Sequence, residues 1–208
     1  MIRNIKLYIN STNEALELAK LVKKKFKSNY FNITDVDYDL VVAIGGDGTF
    51  LKMVRDEKFN SDIYYVGVNA GHLGFLQEVK IEDIDKLIKE IQEEKYNVFN
   101  TDIQETLIKN IDGDFLLYSL NDIIIRDVMH SKTLKADVYR HDGFLENFSG
   151  SAILFSTSLE SSAYNKSVGG FLISPEFSIL QFSPVAPNFS CISRLLSNSV
   201  LESDKGSL

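Results

Sequence analysis

Val41-Val42-Ala43-Ile44-Gly45-Gly46-Asp47-Gly48-Thr49-Phe50 runs an unbroken apolar stretch into three glycines that surround one carboxylate. The apolar part has the length and composition of a strand buried on both faces of a parallel sheet. Leu51, Lys52, Val54 and Arg55 then read as the first turns of a helix. Glycines at such a strand-to-helix junction permit positive φ and let a pyrophosphate approach main-chain N–H groups with no Cβ in the way. An acid in the middle of that cradle repels phosphate unless it has a task, such as holding Mg²⁺ or accepting a proton from an attacking hydroxyl. A tight turn that needs glycine explains the Gly45-Gly46 pair but leaves Asp47 unexplained. No Lys-Ser or Lys-Thr follows the glycines, as a P-loop requires, and the spacing is not the Gly-x-Gly-x-x-Gly of dinucleotide folds.

Working outward, Ile2, Ile5, Leu7 and Ile9 begin a strand, and Ser11 with Glu14 three residues on reads as a capping box. Leu16, Ala19, Val22 and Phe26 repeat at helical spacing and predict one packed face. A strand–helix–strand alternation of this kind implies a Rossmann-like α/β domain with a parallel sheet. Ile63–Asn69 reads as a further strand, broken at its C-terminal end by Ala70-Gly71-His72-Leu73-Gly74-Phe75-Leu76. In open α/β sheets ligands bind at that edge, so two glycine-rich ends there define a crevice. Phe75 is expected to form a wall of it. His72 reads as a solvated loop histidine. Ile84, Leu87, Ile88 and Ile91 mark one face of a charged helix over residues 81–91, its charges a solvated surface.

Helical periodicity fades near Tyr96, dividing the chain into an α/β domain over 1–96 and a β-rich domain over 97–208. Short β runs are expected at Phe115–Leu120, Ile123–Arg126, Leu134–Tyr139, Phe144–Phe148 and Ala152–Phe155, with turns at Asp112-Gly113 and Asp142-Gly143.

The 208 residues, 44% hydrophobic, can bury a substantial core. A net charge of −7 argues against nucleic acid as the main partner. Lys23-Lys24-Lys25 reads as the solvated side of a helix, and no stretch is long enough to span a membrane. There is no signal-peptide pattern. The single Cys191 forms no internal disulfide and suits a reducing cytoplasm. Three scattered histidines offer no zinc spacing, and no metal site of the protein's own is expected.

Four motifs carry a family resemblance. Gly45-Gly46-Asp47-Gly48-Thr49 resembles the signature of the NAD kinase superfamily, shared with the diacylglycerol and sphingosine lipid kinases. Asn69–Leu76 is similar to the Asn-x-Gly-x-Leu-Gly-Phe-Leu motif of the NAD kinase branch, which the lipid kinases lack in this form. Asn121-Asp122 resembles the Asn-Glu pair with which NAD kinases hold the nucleoside ribose, with Asp122 one methylene shorter. An ordinary turn before a strand is the competing reading of that pair. Ser156–Gly170 is similar to the Ser-Thr-Pro-Thr-Gly-Ser-Thr-Ala-Tyr…Gly-Gly segment, closest to a Gram-positive-like form with Asn-Lys-Ser after the Tyr. A serine-rich linker is the plainer reading there, against which stand the flanking apolar runs Ile153–Phe155 and Phe171–Ile173.

The resemblance implies phosphorylation of the 2′-hydroxyl of the adenosine ribose of NAD, with ATP or polyphosphate as donor and a divalent ion such as Mg²⁺. It assigns Asp47 as catalytic base and Gly46, Gly48 and Thr49 as a phosphate cradle. Asn121 and Asp122 would hold the ribose, Ser162 and Ala163 lie near adenine, and Tyr164 and Ser167 face the rest of the dinucleotide. It further implies a cytoplasmic homodimer or homotetramer. The chain departs from the family pattern at Ser158, Leu159 and Glu160, where Pro, Thr and Gly are usual, and at Ser151-Ala152, where Asp-Gly is usual. Its C-terminal part is expected to be shortened, with 197–208 adding no β layer. These departures leave a catalytically impaired NAD-binding or sensing homologue as one alternative, and a lipid kinase of the same superfamily as another.

Overall fold

The structure is a computed structural model that describes residues 1–70, 74–129, 132–140, 143–189 and 193–197. His72, Cys191, the Asp142 turn residue and the tail beyond Ser197 lie outside the described residues. The chain divides into two compact units, Met1–Phe99 and Asn100–Leu208.

In the first unit, β1 (Asn4–Ile9), β2 (Asn32–Ile33), β3 (Leu40–Gly45) and β4 (Tyr64–Asn69) form one parallel sheet in the order β2-β1-β3-β4. All six residues of β3 are buried, as the continuous apolar run requires of an inner strand. Leu40, Val42 and Ile44 pack with α1 (Asn13–Ser28) and α3 (Ile84–Gln92) in the main core. The alternate residues Val41 and Ala43 are equally buried on the face toward α2 (Asp47–Asp56), whose Met53 and Val54 are buried. The second unit holds β5 (Gln104–Asn110) and β6 (Gly113–Ser119) as a separate antiparallel hairpin. It also holds an antiparallel sheet of β7 (Asp122–Arg126), β8 (Leu134–Arg140), β9 (Gly143–Thr157), β10 (Ile179–Pro187) and β11 (Arg194–Ser197). Its core gathers Val138, Phe148, Ile153, Phe182 and Leu196.

Several expectations are corrected. The cap of α1 is Thr12, not Ser11: its Oγ1 accepts the Ala15 N–H, so Ala15 rather than Glu14 stands three residues on and no capping box forms. With the helix so phased, Ala15 is fully buried and Leu16 is 45% exposed. Helix α2 starts at Asp47, several residues earlier than expected, so the glycine motif is the helix's own start. Gly46 is its N-cap with extended φ −104°, and the positive φ of this motif falls at Gly45, at +159°. The runs at 144–148 and 152–155 are one 15-residue strand, β9, which pairs with β8 along its first half and with β7 and β10 along its second. The strands β2, β5, β10 and β11 were not foreseen.

Candidate active site

The head of α2 is gripped by a four-residue strap, Gly74-Phe75-Leu76-Gln77, that follows β4. Asp47 Oδ2 accepts the Phe75 N–H at 2.8 Å and Oδ1 accepts the Leu76 N–H at 2.9 Å. Gln77 Nε2 donates to the Gly46 carbonyl at 2.8 Å, and the Ala70 N–H donates to the Gly45 carbonyl at 3.2 Å. The two glycine-rich motifs are thus one hydrogen-bonded structure. Gly74 has to be glycine for it: a Cβ there would lie 2.2 Å from Asp47 Oδ1.

Thr49 does not present its amide. That N–H donates to the Gly46 carbonyl at 2.8 Å, and its buried hydroxyl accepts from Asn10 Nδ2 at 2.8 Å. The amides of Asp47 and Gly48, at the first two helical positions, have no carbonyl within the helix to reach. Donors left over in the first turn of a helix are the groups with which such a terminus can bind an anion. A Cβ at Gly46 or Gly48 would meet nothing within 4 Å. Phe75 is 78% exposed, a large aromatic face beside Asp47. The far end of α2 is pinned through its C-cap Glu57, which bonds Lys6 Nζ at 2.6 Å and accepts from the Tyr38 hydroxyl. Chiefly through the bond to Glu57, the Lys6 ammonium is held above its ordinary pKa.

In the second unit, pairing of β7 with β9 sets Asp122 opposite Ser156. The Thr157 N–H donates to the Asn121 carbonyl at 3.2 Å and its hydroxyl donates to the Leu120 carbonyl at 2.9 Å. The third and fourth motifs therefore meet at one end of the sheet. Asn121 Oδ1 accepts from Ser119 Oγ at 2.9 Å, which fixes its amide plane. Burial raises the Asp122 carboxyl above the ordinary carboxylate range.

Beyond Thr157 the chain turns into α4 (Tyr164–Ser167), a single helical turn. Tyr164 is 45% exposed, Ala163 and Ser167 are exposed, and Ser162 is half-buried. These outward groups ride on a buried polar hub. Asn165, fully buried, donates to the carbonyls of Ser161 and Phe171 at 3.1 Å each and accepts from Ser183 Oγ at 2.7 Å. Ser161 Oγ bridges the carbonyl and N–H of Ile173, and Gln181 holds the backbone of Phe171. Ser158, where the family pattern has Pro, is buried and donates to the Ile179 carbonyl at 3.0 Å. That substitution is absorbed by the fold. Ala152 is likewise buried within β9, while Ser151 is exposed.

Sequence reasoning missed Asn10, Gln77, Asn165 as a hub, Gln181 and Ser183, each of which has a partner far from it in sequence. Residues 3–96 match the family model for the ATP-NAD kinase N-terminal domain. The chain is 36% identical to the NAD kinase of Finegoldia magna, over 98% of this chain and 76% of the relative. With the NAD kinase of Lactobacillus gasseri the identity is 33%, over 95% and 74%. The chain belongs to the NAD kinase family.

The fold agrees with solved members of that family. Yeast NADH kinase complexed with NADH superposes with a TM-score of 0.85 at 19% identity, covering 94% of this chain and 66% of the yeast chain. An NAD kinase from Archaeoglobus fulgidus in complex with ATP gives 0.73 at 18% identity, covering 95% and 77%. Within the NAD kinase pattern, the structure brings Asp47 and Phe75 together through backbone contacts. It separately sets Asn121 and Asp122 beside Thr157 and Ser156, after which the chain turns through Ser162–Ser167.

Proposed function

We propose that this chain is an NAD kinase that transfers the γ-phosphoryl group of ATP to the 2′-hydroxyl of the adenosine ribose of NAD. The observation that carries the reading is kinship to NAD kinases over 98% of the chain, with Asp47 at the start of a helix beside two outward amides. On this reading Asp47 accepts the 2′-hydroxyl proton as that oxygen bonds to the γ-phosphorus. The bond from phosphorus to the β–γ bridging oxygen breaks and ADP leaves. Gly46 and Gly48 let phosphate oxygens come close to the amides of Asp47 and Gly48. Thr49 contributes by holding the turn, not by its own N–H.

Asn121 and Asp122 position the ribose, Ser162 and Ala163 the adenine, and Tyr164 and Ser167 the rest of the dinucleotide. Phe75 offers an aromatic wall. No group of three or more His, Cys, Asp or Glu side chains able to hold a metal occurs among the described residues. Mg²⁺ would be carried in on the nucleotide's phosphates, where it would neutralise charge. No described helix is long and apolar enough to cross a membrane. A cytoplasmic homodimer or homotetramer, with no nucleic-acid partner, completes the proposal.

The test is NADP formation from NAD, ATP and Mg²⁺ by the purified chain, run beside Asp47→Asn. Turnover in the parent and its loss in the variant supports the reading. A parent that binds NAD by calorimetry yet makes no NADP until Glu160→Gly is introduced is a sensing homologue instead.

A further inference from the structure

Gln77 belongs to no part of the resemblance, yet it is only 2% exposed and its side chain lies between the two glycine-rich motifs. After β4 the chain returns beside that strand: the Val79 N–H donates to the Gly67 carbonyl at 3.0 Å and the Val79 carbonyl accepts the Asn69 N–H at 2.8 Å. This return lays Gln77 over Gly67. A Cβ on Gly67 would stand 2.4 Å from Gln77 Oε1, so the strand gives up a side chain to admit the amide. The Nε2 end reaches the Gly46 carbonyl, which also accepts the Thr49 N–H and is the first acceptor of α2. Among the described residues Oε1 has no hydrogen-bond partner. A flip of the amide would set oxygen against oxygen at Gly46, so the donor to Gly46 fixes the orientation.

We infer that Gln77 is a positioning residue that fixes the Asp47 carboxylate at the head of α2. It locks the strap to the N-cap carbonyl, and the strap's two preceding amides then meet both oxygens of Asp47. The inference rests on the assignment of Asp47 as base, and its geometry can be read without any turnover.

The experiment compares the full chain with Gln77→Met, which keeps the length of the side chain and removes the donor. Amide hydrogen exchange is followed by NMR, together with kcat and KM for NAD and ATP. In the variant, exchange at Phe75 and Leu76 rises about tenfold or more, while Val22 and Val42 in the core keep parent rates. The kcat falls about tenfold or more with both KM values within about twofold.

Parent-like exchange at Phe75 and Leu76 overturns the inference whatever the kinetics. Faster exchange with unchanged kcat overturns the positioning role. Exchange raised throughout the unit marks a merely structural residue and overturns it too. If the parent itself forms no NADP, the kinase reading fails on that result, and the placement of Asp47 by Gln77 is decided by the exchange alone. Should Gln77→Met not accumulate as folded protein, Gln77→Leu, which also lacks any donor, carries the same measurements.

Discussion

Replacing Asn165 with alanine tests whether the buried hub holds the turn that carries Ser162, Ala163, Tyr164 and Ser167. The side chain is fully buried and makes three hydrogen bonds, to the Ser161 and Phe171 carbonyls and from the Ser183 hydroxyl. Each contributes about 1 kcal/mol net, and a buried partner left unsatisfied costs about 1–3 kcal/mol. The Phe171 carbonyl keeps a second donor, Gln181 Nε2 at 3.2 Å, whereas Ser183, also fully buried, loses its acceptor. The sum is a loss of about 3–4 kcal/mol. For a unit of this size that lowers the melting midpoint by roughly 15 °C. Asn165→Asp keeps the acceptor for Ser183 but points a carboxylate at two carbonyls, so it loses at least as much. On the proposed function the seat of the dinucleotide loosens, so KM for NAD rises while kcat at saturation changes little. Thermal melts followed by circular dichroism and steady-state kinetics measure both. An Asn165→Ala protein within about 1 kcal/mol of the parent would refute the hub.

Asp47→Asn is expected to lower kcat by about 10²–10⁴ while the NAD dissociation constant by calorimetry stays within about twofold. Asp122 has its folded-state pKa raised by burial, so its contribution to stability is full below the ordinary carboxylate value and is lost as pH rises through the raised one. Asp122→Asn should therefore gain stability over the parent at pH 7 and not at pH 3, as read in urea melts at both. Asp39 is the opposite case. The N–H groups of Asn4 and Arg3, each at 2.8 Å, hold its carboxyl below the ordinary value, so its stabilisation is present above that value and is lost as pH falls through the depressed one. Asp39→Ala should cost about 2 kcal/mol at pH 7, a difference from the parent that narrows in the same melts as pH falls through the depressed value. Gly48→Ala, where the added Cβ meets nothing, should raise helix stability by up to about 1 kcal/mol and weaken ATP binding in a calorimetric titration.

What the sequence made legible was local and periodic. β3 was readable because a strand buried on both faces needs every residue apolar, and the buried face of α3 because Ile84, Ile88 and Ile91 recur at helical spacing. The cap of α1 was misread by one residue because Ser11 and Thr12 are both capping residues, and only the packing of Ala15 decides between them. β9 was split because Ser149, Gly150 and Ser151 interrupt its apolar pattern. Gly150 is in fact a packing glycine, since a Cβ there would strike the Phe148 ring at 2.6 Å. The partners of Asp47 were illegible because they are backbone amides, which any residue supplies. Asn165 stood inside a recognised motif, but its hub depends on Ser183, eighteen positions away and opposite it only once β10 has paired with β9.

The glycines of the site separate into two kinds, and the separation locates what acts on them. At Gly45 a Cβ would stand 2.3 Å from Thr49 Oγ1, and at Gly170 2.1 Å from Asn165 Oδ1. At Gly67 and Gly74 it would strike Gln77 and Asp47. In each case the colliding group is a side chain that shapes or supports the site, so the fold alone requires glycine and substitution there should disturb structure and function together. Gly46 and Gly48 answer to no such neighbour. Gly48 even sits in a helix, where glycine costs about 1 kcal/mol relative to alanine. A residue that the fold disfavours and packing does not require is explained by what approaches from outside. Beside the amides of Asp47 and Gly48, which have no backbone acceptor among the described residues, an anion drawn close to the backbone satisfies that condition.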